Sequence, residues 1–97
     1  MTDLPEDGSV PDPASLPTVD QLTVFGAEWC GDCRRARRFL DGTGTPYTWV
    51  DTAADQAARA MLNAAGYQAI PVVLVPGGTV LVEPSNEELA AAIGTPA

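Results

Sequence analysis

The chain has 97 residues, enough for one domain with a modest core and too few for two. Thirteen acidic against five basic residues give a formal charge of −8, which excludes the basic face that nucleic-acid binding requires. No stretch is long or apolar enough for a membrane span, and the start lacks the basic-then-apolar pattern of a signal peptide, so a cytoplasmic, reducing setting is expected.

Residues 1–20 carry four prolines, five acids and no base. With few large apolar groups, the segment is expected to be a disordered or loosely packed acidic tail, and deleting residues 1–17 is expected to leave fold and activity nearly unchanged. Its role is not readable, and the folded domain is expected over 21–97.

Residues 21–26 read as a first strand, short and apolar enough to be central. Gly26, Ala27 and Glu28 form a turn that presents Trp29-Cys30-Gly31-Asp32-Cys33, the only place where the two cysteines occur. A helix over 31–40 follows, with Cys33, Ala36, Phe39 and Leu40 on one face. Four of the five arginines, Arg34, Arg35, Arg37 and Arg38, crowd this helix and read as a solvated face rather than an anion site. Asp41 to Pro46 stop it.

Residues 47–51 give a second, aromatic and β-branched strand, on which Trp49 is expected to face solvent. Thr52 is expected to cap a second helix running to about Ala65, with Asp55 three residues on. Ala54, Ala57, Ala58, Met61, Leu62 and Ala65 make its expected buried stripe, and Gly66 ends it. Strand, helix, strand implies a right-handed crossover and parallel neighbours. Ile70-Pro71 introduces a fully apolar third strand at 72–75, Pro76-Gly77-Gly78 a hairpin, and 79–83 an antiparallel return. Ser85 and Glu88 form a capping box for a last helix ending near Ile93, with Gly94 beyond it. The sum is an α/β order, β-α-β-α-β-β-α: a four-stranded mixed sheet flanked by three helices.

Two cysteines at this spacing admit four readings. A zinc site wants about four nitrogen or sulfur ligands, and the chain has two cysteines and no histidine. A structural disulfide closed over two residues removes little unfolded-state entropy. Inert buried thiols fit poorly with Gly31 and Asp32 at a helix start. Redox chemistry fits best, because the unpaired N–H groups of a helix N-terminus favour a thiolate. Cys30 then attacks from that terminus, and Cys33, one turn in, resolves. Asp32 places a carboxylate beside the thiolate and opposes its charge. Trp29 is either a stacking surface beside the sulfur or a core residue. No Gly-rich loop opens a helix, so reducing equivalents from NADPH must come through a separate reductase.

The Cys-x-x-Cys after the first strand and the Ile70-Pro71 before the third resemble the thioredoxin fold in its minimal glutaredoxin form. The resemblance covers residues 22–94 and is closest to the mycoredoxins and glutaredoxin-like proteins of mycothiol-using bacteria. It rests on Trp29 to Cys33, Tyr47 with Val50-Asp51, Ile70-Pro71, and Pro84-Ser85. It implies a monomeric thiol–disulfide oxidoreductase without a tightly bound cofactor or metal, acting on oxidised or S-thiolated proteins. It also implies a cis bond at Pro71 facing Cys30, with the Ile70 backbone free to pair with substrate. Trp29, Gly31, Asp32, Gln68, Ile70, Pro71 and Ser85 are the implied thiol-binding set, although Gln68 also reads as a turn residue. Ala27, Ala69 and Pro84-Ser85 stand where glutathione-binding relatives carry a basic residue, a threonine and a Gly-Gly pair, which favours mycothiol as the co-substrate. Two other roles fit the same motif: a thioredoxin-like reductant of one dedicated enzyme, and a module whose dimer bridges an iron–sulfur cluster through Cys30.

Overall fold

The computed structural model describes residues 12–94, and all structural statements concern these. One turn of 3-10 helix (Pro13–Ser15) precedes β1 (Thr23–Gly26), α1 (Gly31–Gly42), β2 (Thr48–Asp51), α2 (Gln56–Ala64), β3 (Val72–Val75), β4 (Thr79–Val82) and α3 (Asn86–Ile93). The strands form one sheet in the order β2-β1-β3-β4. β1 runs parallel to β2, with Val24 opposite Trp49 and Gly26 opposite Asp51, and antiparallel to β3; β3 and β4 form the hairpin. This is the expected minimal thioredoxin arrangement.

Strand alternation divides the core in two. Val24 and Val73 point to one face with Leu22, and Ala36 and Leu40 from α1 and Leu89 from α3 cover them. Phe25, Val72 and Leu74 point to the other, where Leu62, Ala65 and Tyr67 close over them. The central strand β1 is buried at every position, as its apolar composition requires. Ser85 and Glu88 make the expected capping box on α3, and Gly94 ends it at φ +76°.

Two expectations fail in informative ways. The cap of α2 is Asp55, whose carboxylate accepts from the Ala58 N–H at 3.0 Å. Thr52 instead donates its hydroxyl to the Gly26 carbonyl at 3.1 Å and its backbone N–H to the same oxygen at 2.8 Å. A turn over 51–55, closed by N–H groups of Ala54 and Asp55 on the Asp51 carbonyl, delays the helix. The expected stripe keeps its register but is shortened: Leu62 and Ala65 are buried, Ala58 and Met61 partly so, and Ala54 and Ala57 exposed. The second failure concerns the N-terminal segment. Residues 1–11 lie outside the described residues, but Leu16 is buried among Phe25, Leu62 and Leu74. The Asp12 N–H donates to the Ala65 carbonyl at 2.9 Å, so the packed unit starts before Gln21.

Leu16→Ala is expected to cost about 2–4 kcal/mol in urea-unfolding free energy, as for other buried leucines. Removing 1–17, which the sequence alone made neutral, takes Leu16 with it and carries at least that loss.

Candidate active site

β1 ends at Gly26, and a tight turn, closed by the Cys30 N–H on the Ala27 carbonyl at 3.2 Å, delivers the chain to α1. Cys30 is the N-cap of α1, with extended backbone. Its sulfur accepts the N–H of Cys33 at 3.3 Å, the place a serine or aspartate oxygen usually takes. The half-exposed sulfur thus sits at the helix N-terminus with an N–H donor directed at it. Cys33 is fully buried, and its thiol is pushed up from 9.0 to about 12. Burial is the largest cause, followed by the hydrogen bond to Cys30, with the Cys30 and Asp32 charges adding to it. Both sulfurs are free thiols, so Cys33 holds its proton beside an accessible Cys30.

The arginines are more than a solvated face. Arg34 donates to the Glu28 carbonyl at 2.8 Å, and Arg37 to both Glu28 carboxylate oxygens at 3.3 Å, so α1 grips the turn that presents Trp29 and Cys30. Arg35 donates to the Pro84 carbonyl and to Asn86 Oδ1, each at 2.8 Å, tying α1 to the start of α3. Its one charged partner among the described residues is Asp32, at 3.8 Å. A guanidinium carries five donors in a fixed fork, so it can reach carbonyls of neighbouring segments from an exposed helix face. Charge counting along the sequence sees only the face.

A groove of about 420 Å³ lies on the α2 side, walled by Trp29, Arg59, Asn63, Gln68 and Ile70, with Thr52, Leu62 and Tyr67 among its deeper residues. Trp29 is 72% exposed, which decides between its two readings: it is a surface, not core. Trp29, Gln68 and Ile70 thus line one groove. Pro71 is buried behind them, and the Ile70–Pro71 bond is cis. Gly31 and Asp32 are exposed next to Cys30 and do not line the groove. Ser85 does not line it either; its hydroxyl accepts the Glu88 N–H at 3.1 Å. The sequence reading named no α2 residue in the site. Arg59, Leu62 and Asn63 fall at helical three- and four-residue spacing, and Arg59 is the one arginine outside α1.

No group of three or more His, Cys, Asp or Glu side chains that could hold a metal occurs among the described residues. None of their helices is long and apolar enough to cross a membrane.

Two measurements check this geometry. A Cβ on Gly26 would lie 2.5 Å from Cys33 Sγ and 3.0 Å from Trp49 Cη2, so Gly26→Ala is expected to lower unfolding free energy by about 1–3 kcal/mol. The Cys33 thiol stabilises the reduced fold fully below pH 9.0. That contribution is lost as pH rises towards about 12, because the unfolded thiol ionises first. Urea unfolding of the reduced chain from about pH 8 to about pH 10.5 should show it losing stability relative to Cys33→Ser; a pH-independent difference would contradict the burial assignment.

The chain is similar to known proteins across most of this architecture. The glutaredoxin family profile matches residues 22–80. A candidate glutaredoxin of Mycobacterium tuberculosis is 31% identical over 72 residues, which is 72% of this chain and 86% of that protein, with the same figures in two strains. The crystal structure of a glutaredoxin from Archaeoglobus fulgidus superposes with a TM-score of 0.63 at 20% identity, over 75% of this chain and 85% of that one. A mutant of a thioredoxin-like protein gives 0.69 at 25% identity, over 78% of this chain and 97% of that one. A free Cys-x-x-Cys at the β1–α1 junction, in a fold and a sequence shared with these proteins, places the chain in the glutaredoxin family of thiol–disulfide oxidoreductases.

Proposed function

We propose that the protein reduces protein–mycothiol mixed disulfides and protein disulfides through Cys30, with Cys33 as the resolving thiol. The observation that carries this reading is the Cys30 sulfur held as helix cap by the Cys33 N–H, next to a buried, protonated Cys33. Cys30 thiolate attacks one sulfur of the substrate disulfide. A new S–S bond forms to Cys30, and the other half leaves as thiolate. A second thiol then attacks the substrate sulfur, forming a disulfide with it and releasing Cys30 as thiolate, or Cys33 attacks the Cys30 sulfur, forming the Cys30–Cys33 disulfide and releasing the substrate thiol. Trp29, Gln68 and the Ile70 backbone receive the substrate; Pro71 has no N–H, so pairing falls to its neighbour.

Mycothiol is favoured over glutathione because Ala27, where relatives that bind glutathione carry a basic residue, is apolar and buried here. Arg59 keeps one cation in the groove, so discrimination rests on hydrogen bonds at Asn63 and Gln68 more than on absence of charge. The reading includes a cytoplasmic monomer, with electrons from NADPH through a separate reductase.

The test is a coupled assay with mycothiol, glutathione and thioredoxin systems, run against a mixed disulfide and a protein disulfide. Cys30→Ser is expected to lose at least about a thousandfold in both reactions. Cys33→Ser should keep mixed-disulfide reduction by free thiol and lose protein-disulfide reduction. Equal loss in both variants towards mixed disulfides would reverse the role assignment. Coupling only to the thioredoxin system would make the protein a thioredoxin-like reductant of a dedicated enzyme.

A further inference from the structure

Trp49 is not the free surface aromatic that strand alternation suggested. It stands on the edge strand β2, packs partly against the Leu22, Val24 and Leu40 cluster, and has the Arg37 guanidinium 4.0 Å above its ring. Its Cη2 and the Cys33 sulfur meet at the same gap, the space left by the missing side chain of Gly26. Arg37 lies four residues along α1 from Cys33, on the same helix face, and is anchored in turn by the Glu28 carboxylate at 3.3 Å. Indole, guanidinium and carboxylate therefore run from the buried sulfur to the turn that carries Trp29 and Cys30.

From this arrangement we infer that Trp49 and Arg37 are positioning residues for Cys33, fixing its sulfur for attack on a Cys30 mixed disulfide. The inference rests on the dithiol reading above. The step is Cys30–S–S–R plus Cys33–SH giving the Cys30–Cys33 disulfide plus R–SH. One S–S bond forms between the cysteines and one to R breaks. The Cys33 proton ends on the departing sulfur; the cysteine pair is oxidised and R is reduced. A sulfur with room to turn spends less time near Cys30, and a rigid wall raises its effective concentration there. An indole on an edge strand has nothing on its outer side to keep it inward, and a stacked, charged arginine supplies that cover.

The experiment is stopped-flow reaction of the reduced full chain with dithiobis-nitrobenzoate, comparing wild type, Trp49→Phe and Arg37→Gln. The first nitrothiobenzoate reports attack by Cys30; the second reports resolution by Cys33. Both variants are expected to keep the first phase within about twofold and to slow the second by about tenfold or more, as loss of orientation predicts. Their equilibrium with dithiothreitol should shift towards the dithiol by a similar factor. The melting temperature and the first phase together confirm that each variant is folded. An unchanged second phase in both variants overturns the inference, as does equal slowing of both phases, which would mean packing alone. Wild type releasing a single nitrothiobenzoate would overturn the dithiol reading itself, and the inference with it.

Discussion

The contact on which the site depends is the 3.3 Å donation from the Cys33 N–H to the Cys30 sulfur. It satisfies one of the helix N-terminal donors that would otherwise be orphaned, so it belongs to the fold as much as to the chemistry. One interaction orients the accessible sulfur, gives it a partner for negative charge, and sets the two cysteines one helical turn apart. The buried partner remains a thiol because charge on it would face apolar surroundings and the neighbouring sulfur. Sulfur chemistry here is a consequence of how α1 begins.

That beginning is held from several directions. β1 is buried on both faces and fixes Gly26, and Thr52 fastens the end of β2 to the Gly26 carbonyl with two hydrogen bonds. Arg34 and Arg37 close α1 back on Glu28, while Arg35 reaches the Pro84 carbonyl at the start of α3. Surface ion pairs are individually weak. What these arginines add is a set of directional bonds to backbone and carboxylate groups around one turn, which limits how far Trp29 and Cys30 can move apart from Cys33.

The groove and the cysteines are built by different parts of the chain. The cysteines belong to the α1 side of the sheet, the groove to α2 and the 67–70 turn, and Trp29 joins the two. On the proposed function, reactivity and recognition therefore rest on separate segments of the chain.

Much of this was legible in the chain itself. Hydrophobic periodicity, the Pro76-Gly77-Gly78 hairpin and the Ser85–Glu88 capping box are local signals, and local geometry obeyed them. The place of the Cys-x-x-Cys at a strand-to-helix junction was legible for the same reason, since a strand end and a helix start depend on a few adjacent residues. Three matters were decided only by tertiary structure. Residues 1–20 looked too poor in large apolar groups to pack, yet Leu16 is buried in one cluster with Phe25 and Leu62. Thr52 looked like a cap, but the Gly26 carbonyl across the sheet competes for its hydroxyl. Trp49 and Arg37, twelve residues apart in sequence, meet because the parallel pairing of β1 and β2 lays Trp49 beneath α1. Each turns on a partner that is brought close only when the strands pair and the helices pack on them, and no periodicity along the chain records such a contact.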